Sequence, residues 1–276
     1  VYTYFYFFVK NTIKGVPIFM NRSSKELKRL ARENLTGHYS TPMGAFVCAG
    51  AISLAIELPF SMLQNNTQTT TQTVVFALAE FLIGLLSSIL IVGQFRVHLS
   101  MARKQPYELN QLFYGFKNHP DRIIICSLLV TIFTGLACIP VICGTLLFVL
   151  RNGIASGIIF AVTLIISLIL CILLQLMFQQ IYFLLLDRQD LSSMGCIKES
   201  ARLMKGHKGR LFYIVLSFLG MDILVLLSLG IGSLWIMPYQ SQTYTLFYLD
   251  ITGQLPEASV SGSAPQQEQP TFNKYV

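Results

Sequence analysis

The chain has 276 residues, of which 53% are hydrophobic and only 12% are charged, and its mean hydropathy is +0.59. A soluble domain usually has about 25% charged residues, so the composition excludes an ordinary soluble protein and indicates one that lies in lipid. The net charge of +7 does not indicate nucleic-acid binding. The cations lie between apolar runs rather than on one basic face, and in that position they are expected to fix membrane topology.

The first 19 residues do not fit the pattern of the rest of the chain. Their apolar part, VYTYFYFFV, ends at Lys10 and is too short to span a bilayer. No basic region precedes it and no small-residue cleavage site follows it, so it does not fit a signal peptide. We expect residues 1–19 to be translated upstream sequence or a disordered extension outside the fold. An intact mass of the native protein that includes them would contradict the first of these.

An amphipathic helix is predicted from Ser23. Ser23 and Glu26 form a capping box, which satisfies free backbone N–H groups at a helix start. Leu27 and Leu35 belong to an apolar stripe at helical spacing, and Gly37 is suited to the left-handed residue that ends a helix. Such a helix is expected to lie on an anionic leaflet.

Five apolar runs follow that are long enough to span a bilayer. Pro140 is expected to kink the third, and the fourth would reach about 50 Å as one helix, so its cytoplasmic end should project beyond the hydrocarbon. A sixth helix over 233–250 is predicted, although it contains Gln240, Gln242 and Asp250. The five runs are residues 42–63, 74–97, 123–150, 154–186 and the run that begins at Leu211.

The same order of features occurs three times. An amphipathic segment is followed by a glycine with basic or aromatic neighbours and then by an apolar hairpin. The three glycine hinges are LTGHY (35–39), FYGFK (113–117) and MKGHK (204–208). In the third copy, Asp190 is expected to cap the amphipathic helix. The predicted fold is therefore an all-α, polytopic transmembrane bundle of five or six spans, arranged as three hairpins that each follow a cytoplasmic amphipathic helix.

The distribution of cations predicts the orientation. Sixteen of the twenty Lys and Arg residues fall within 20–39, 96–122 and 188–210, whereas Arg151 is the one cation in the intervening loops 64–73 and 151–153. The positive-inside rule puts these three regions and the N-terminus in the cytoplasm. We expect a multi-pass protein of a bacterial cell membrane, with one integral-membrane domain over 20–252. The Pro/Gln/Ser-rich residues 253–276 are expected to be a disordered tail.

A family resemblance is carried by the third copy. The segments that carry it are the motif D-x-x-D-L-S (187–192), IKESARLMKGHKGRLF, LSFLG, GIGSLW and PYQSQTYTLFYLDI, together with ELKRLARENLTGHY near the start. They resemble a bacterial integral-membrane family catalogued as domain of unknown function 975. More distantly, the pattern is similar to the membrane domain attached to some glycerophosphodiester phosphodiesterases. Where the family tends to have Trp after SF-x-G, this chain has Met221 and Asp222. The resemblance implies membrane helices but no established activity.

Three acidic residues within apolar runs are candidates for an ion or proton site. Glu57 and Glu80 are predicted at similar depth in adjacent helices, where two carboxylates could bind a cation or share a proton. The alternative is that each lies close enough to the outer interface to reach water. Asp222 falls near the middle of the fifth run. It is either protonated, hydrogen-bonded to a Ser or Gln of a neighbouring helix, or part of a pathway.

Basic residues around KGHKGR are candidate contacts for anionic lipid headgroups, at about 1 kcal/mol for each cation near the surface. The alternative is that they only fix orientation, as positive charges beside spans do. The candidates are Lys198, Arg202, Lys205, Lys208 and Arg210.

No cofactor, metal or catalytic motif is predicted. The six cysteines lack zinc-ligand spacing and are expected to be small buried hydrophobes, and no HExxH, GxSxG or Walker motif occurs. Three functions remain open. The first is a non-enzymatic envelope protein that organises or assists lipids or partner proteins, the second is a small transporter or channel that uses the three acids, and the third is a lipid-processing enzyme. The bilayer and its anionic headgroups are the predicted partners, and no nucleic acid is expected.

Overall fold

The computed structural model describes residues 22–64, 69–151 and 153–255, and in these ranges the chain forms helices and turns without any strand. The predictions for residues 1–19 and for most of the tail therefore lie outside the described residues. The helices are α1 (Ser24–Leu35), α2 (Ser40–Gln64), α3 (Thr70–Ala102), a 3-10 turn (Leu109–Phe113), α4 (Tyr114–Lys117), α5 (Pro120–Arg151), α6 (Ile154–Phe178), α7 (Ile181–Asp187), α8 (Ser193–Leu203), α9 (Lys208–Leu216), α10 (Leu219–Leu227) and α11 (Ser233–Ile251).

Five helical segments are long and apolar enough to cross a membrane: Ser40–Pro59, Thr70–Ala102, Pro120–Arg151, Ile154–Asp187 and Lys208–Leu227. They correspond to the five predicted runs, and the all-α, multi-span fold class is confirmed. Most of their large apolar side chains away from the linkers are exposed, as in Ile154, Leu150 and Leu226. Such surfaces are expected to face lipid, because hydrocarbon is the solvent that matches them.

The core of the molecule lies at the end where the linkers between hairpins are. We call segments 22–39, 103–119 and 188–207 the linker layer, and this end of the molecule the linker side. Fully buried side chains come from α1, from the last turns of α3, from α7 and α8, and from the second half of α11. The hairpins are therefore joined mainly on the linker side.

The prediction that α1 lies on the lipid surface is wrong in one respect. Its N-cap is Ser23, whose hydroxyl accepts the Glu26 N–H at 3.2 Å, as the capping box predicts. Its apolar stripe, however, is covered by protein: Leu27, Ala31 and Leu35 are fully buried. The helix packs mainly on α11, a partner that cannot be found from the local periodicity of α1.

Two of the three predicted glycine hinges share a geometry. Gly37 ends α1 with φ +78°, and Gly206 ends the α8 segment with φ +87°, the left-handed conformation that glycine adopts without strain. Gly115 differs, because it lies inside α4 and has no positive φ. A Cβ there would lie 2.7 Å from an Ile89 side-chain carbon, so this glycine permits close packing instead of a turn.

The segment before α5 folds back along α3. A Cβ on Gly93 would lie 1.9 Å from the backbone oxygen of Leu112, so the 3-10 turn contacts the backbone of α3 directly. The side chain of Leu112 is fully buried, next to Ala49 of α2. This second linker is thus packed between two spans instead of lying on the surface as an amphipathic helix.

The expected kink at Pro140 has a counterpart in the hydrogen bonding of α5. The proline lies inside the helix, and the next N–H, that of Val141, donates to the hydroxyl of Ser167 on α6 at 3.1 Å. A proline removes one helical N–H and displaces the carbonyl one turn earlier. Here a neighbouring helix supplies an acceptor at that point.

Two features in the last third of the chain differ from the predictions, and a third agrees in its bounds. The cap of α8 is Ser192, which accepts the Gly195 N–H, while the predicted cap Asp190 pairs with Arg188. The fifth span is broken into α9 and α10 around Ser217. The sixth predicted helix is present as α11 and most of its residues from Pro238 onward are buried by protein, but it is not among the five segments apolar enough to span.

Candidate functional site

Asp187 joins the linker-side ends of three helices. It is the last residue of α7, and both of its carboxylate oxygens accept hydrogen bonds from the guanidinium of Arg103, just after α3, at 2.8 and 2.6 Å. The hydroxyl of Tyr248 on α11 donates to the same carboxylate at 3.0 Å. Paired guanidinium–carboxylate bonds are strong and directional, so the arrangement fixes the relative positions of α3, α7 and α11.

Asp250 makes a second such junction at the end of α11. It is paired with Arg210 of α9 and accepts the backbone N–H of Arg22 at 3.4 Å. Arg210 also donates to the backbone carbonyl of Arg22 at 2.8 Å. The start of α1 is therefore connected to α9 and α11.

Arg122 connects the start of α5 to the segment before α8. Its guanidinium donates to the backbone carbonyls of Leu191 and Arg188 at 2.5 and 3.0 Å. A carbonyl in a partly buried irregular segment, such as that of Leu191, needs a donor of this kind. This arginine is therefore part of the packing of the linker layer.

A buried polar pair lies between α3 and α11. Nδ1 of His98 is 2.9 Å from Oε1 of Gln242, and both side chains are buried. The remaining amide nitrogen of Gln242 has no partner among the described residues. The pair places the linker-side end of α3 level with the middle of α11.

The five predicted lipid contacts fall into two groups. Arg202 forms two hydrogen bonds to Glu199 at 2.7 and 2.5 Å, and these lower the pKa of Glu199. Arg210 forms a salt bridge with Asp250. The ammonium groups of the three lysines, Lys198, Lys205 and Lys208, form no salt bridge or hydrogen bond with the described residues.

This difference between arginine and lysine holds throughout the described residues. Each salt bridge found there uses an arginine, and none uses a lysine. Lys28 is the exception among lysines in having a hydrogen bond: its ammonium donates to the Ser217 carbonyl at 2.9 Å and lies 3.9 Å from the Phe218 ring centre. Burial accordingly lowers the pKa of Lys28. The other six lie on the linker side, five exposed and Lys208 half-buried: Lys25, Lys104, Lys117, Lys198, Lys205 and Lys208.

Glu57 and Glu80 are both exposed on the surfaces of α2 and α3. Neither forms a salt bridge or a side-chain hydrogen bond within the described part of the chain. No contact between the two carboxylates is present there, so an ion or proton site at these positions stays a prediction.

Asp222 has the hydrogen-bond partner that one of the three alternatives required. The amide of Gln240 on α11 donates to it at 2.6 Å, and the aspartate is half-buried. The bond connects α10 to α11. Asp222 is not brought near Glu57 or Glu80 by any contact of the described residues, and its role in a pathway stays a prediction.

The linker side also has an open cleft of about 450 Å³ next to the Asp187 junction. Its charged walls are Arg103, Asp187, Arg188 and Glu199, and each of these is already paired with a charge of opposite sign. Within the described ranges no three His, Cys, Asp or Glu side chains are placed to hold a metal ion, and the six cysteines are not in disulfides.

The sequence reasoning missed the two aspartate junctions. It treated Asp187 as part of a motif and Asp250 as a polar residue that weakened a predicted span. A usable signal was present, because each is a single acid at the end of an apolar helix in a chain whose cations cluster on one side. Charges at such ends are expected to find partners within the protein.

Comparison with known proteins gives one match. Residues 20–254 match the family described as protein of unknown function DUF975. Neither a curated protein nor a solved structure matches the chain, and the more distant likeness to the glycerophosphodiester phosphodiesterase membrane domain stays a prediction. Since the match covers most of the sequence, the chain belongs to the DUF975 family of proteins of unknown function.

Proposed function

We propose that this protein binds anionic phospholipid headgroups through the lysines of its linker side and gathers such lipids in the cytoplasmic leaflet of a bacterial cell membrane, without chemical change to them. The observation that carries the proposal is the division of roles between the two basic residues. Each of the six described salt bridges uses an arginine, and two of them, Arg103 with Asp187 and Arg210 with Asp250, join different helices. By contrast, six lysines have no acidic partner among the described residues.

The chemistry of the two side chains supports this division. A guanidinium forms paired bonds to carboxylates and suits fixed junctions, while an ammonium is a compact charge on a flexible stem that attracts phosphate without imposing one geometry. Each cation near an anionic surface contributes about 1 kcal/mol, so several acting together favour an anionic lipid over a neutral one. The alternative, that the lysines only orient the protein, predicts no such preference.

Lipid retention by the purified protein tests the proposal. The protein is extracted from membranes that contain phosphatidylglycerol and phosphatidylethanolamine, and the ratio of the two lipids that stay bound is measured. We expect enrichment of phosphatidylglycerol over the bulk membrane. Replacement of Lys198, Lys205 and Lys208 together by Gln should reduce that enrichment severalfold, because three cations next to the headgroups are lost.

A matched control uses the cation at the opposite end of the molecule. Arg151→Gln removes one charge from the loop between α5 and α6 and should leave the enrichment unchanged. Each single lysine variant and Arg151→Gln remove one positive charge, so comparing their lipid ratios controls for net charge. A triple lysine variant that retains the wild-type lipid ratio would refute the proposal and favour a purely orienting role.

A further inference from the structure

We propose that the third hairpin, residues 218–238, does not cross the membrane but enters it from the linker side and returns to that side, with its tip among the acyl chains of the lipids. The exposed apolar surface of this tip is then covered by the acyl chains of the bilayer interior and not by water on the far side of the membrane. Three independent observations support the assignment: the length of the hairpin, the position of α1, and the hydrogen bonding of the tip.

The His98–Gln242 pair allows the lengths of α3 and α11 to be compared from a common level. From His98 to the start of α3 at Thr70 there are about 28 residues, or about 42 Å of helix. From Gln242 to the glycine before α11 there are about 10 residues, or about 15 Å. The hydrocarbon core is about 30 Å thick, so α3 can cross it from this level and the third hairpin reaches only its middle.

The other arm of the hairpin gives the same length. The ring of Phe218 is 5.2 Å from that of Tyr239 and 6.3 Å from that of Tyr244, which places the start of α10 beside the middle of α11. From Phe218 to Leu229 at the tip there are about 11 residues, or about 16 Å.

Charged side chains of α1 mark the level at which the hairpin leaves the polar region. The Lys28 ammonium is bonded to the Ser217 carbonyl, and the Arg32 guanidinium lies 5.8 Å from the Tyr239 ring centre. A charged side chain is costly inside hydrocarbon. The boundary of the hydrocarbon therefore lies at or beyond Ser217 and Tyr239, toward the tip.

The tip is built to leave no backbone N–H group without an acceptor. Each backbone N–H from residue 228 to residue 235 donates a hydrogen bond within the hairpin. Two serines take part: Ser228 accepts the Gly232 N–H at 2.8 Å, and the Ser233 hydroxyl donates to the Gly230 carbonyl at 2.6 Å. An unsatisfied backbone polar group costs several kcal/mol in hydrocarbon, so the bonded N–H groups lower the cost of placing this turn among acyl chains.

The side chains of the tip agree with this environment. The sequence SLGIGSL (228–234) has no charged or amide side chain, whereas the first hairpin turns through NNTQTTTQT and the second has Arg151. Leu229 is 93% exposed, and Leu226, Leu227 and Ile231 are also exposed. A tip of this composition would be poorly matched to water and is well matched to acyl chains.

The inference also accounts for Asp222. It lies about one helical turn beyond Phe218, close to the level of Gln240 and of the α1 cations, and not halfway across a bilayer. A carboxylate near the boundary, with an amide donor at 2.6 Å, is far less costly than one at the centre of the hydrocarbon.

Cysteine labelling at two hairpin tips tests the proposal. In a chain whose six native cysteines are replaced by Ala, Leu229→Cys marks the third tip and Gly153→Cys marks the second. A membrane-impermeant maleimide is added to intact cells or to sealed inverted vesicles. Gly153→Cys should label from the side opposite the linker layer, and Leu229→Cys should label from neither side until the membrane is dissolved in detergent.

Either of two results would overturn the proposal. Labelling of Leu229→Cys from the same side as Gly153→Cys would show a full crossing, and labelling from the linker side would place the hairpin outside the bilayer. Gln254→Cys, beyond the end of α11, controls for reagent access to the linker side.

The unmodified protein offers a second measurement, because Trp235 is its one tryptophan and lies half-exposed on the arm that returns from the tip. The proposal places it among acyl chains. Its fluorescence in vesicles should be quenched more by lipids brominated deep in the chain than by aqueous iodide. A crossing hairpin would instead bring it to the opposite headgroup region, and the order of quenching would be reversed.

Discussion

Replacement of Asp187 by Ala should destabilise the protein by about 2–3 kcal/mol. The carboxylate accepts two bonds from Arg103 and one from Tyr248. Bonds to a charged group contribute about 1.5–3 kcal/mol each, and removal of one partner from a buried ion pair costs about 3–5 kcal/mol. The side chains of Arg103 and Asp187 keep 27% and 12% of their exposure, so water compensates for part of this loss and the lower range applies.

The measurement is unfolding of the purified protein in mixed micelles by increasing sodium dodecyl sulfate, followed by Trp235 fluorescence. Asp190→Ala is the matched control, because it removes an equivalent carboxylate from an exposed pair with Arg188 and should leave the transition in place. Tyr248→Phe should cost about 1 kcal/mol, the value of a single hydrogen bond. If Asp187→Ala unfolds at the same detergent fraction as Asp190→Ala, the junction does not stabilise the fold.

Two further substitutions test the packing of the linkers by the same unfolding measurement. Gly93→Ala should cost about 3 kcal/mol, because the new Cβ would lie 1.9 Å from a backbone oxygen of the 3-10 turn. The control is Gly84→Ala in the same helix, whose Cβ meets nothing within 4 Å and which should be neutral or stabilising by up to about 1 kcal/mol. Equal stability of the two variants would contradict the contact at Gly93. Lys28→Met should cost about 1 kcal/mol, since it removes the bond from the charged but half-exposed Lys28 ammonium to the Ser217 carbonyl. Lys25→Met, at an exposed lysine of the same helix, is its control. An unchanged transition in Lys28→Met would show that α1 is not held at the end of α9.

The hairpins and their order were predictable because their signals are local. Lengths of uncharged apolar sequence determine the spans, and Ser23, Gly37 and Gly206 mark helix ends by their own conformational preferences. For the site residues, the sequence predicted the type of chemical group but not its partner in space. The sequence marks Asp222 as an acid within an apolar run and offers a hydrogen bond to Gln as one alternative, but it does not give the position of Gln240.

The parts that could not be predicted depend on distant contacts. The apolar stripe of α1 has the same pattern whether lipid or α11 covers it, so its periodicity does not distinguish a surface helix from a buried one. The residues next to Gly115 in the sequence are those expected of a flexible hinge. Its close contact with Ile89 depends on the position of α3 and cannot be read from them. The break around Ser217 similarly has no proline to mark it and involves a cation of α1.

The contact between Arg22 and Asp250 has a consequence for biosynthesis. The two residues are separated by nearly the full described chain, and α1 is the first described helix to leave the ribosome while α11 is the last. Until α11 has been made, Leu27, Ala31 and Leu35 of α1 lack the helix against which α1 mainly packs. A nascent chain that has already inserted its first two hairpins must therefore hold α1 in a temporary environment, and the membrane surface is the nearest one that suits an amphipathic helix. The surface-bound state inferred from the α1 sequence would then be an assembly intermediate, which translocation intermediates arrested before α11 should display.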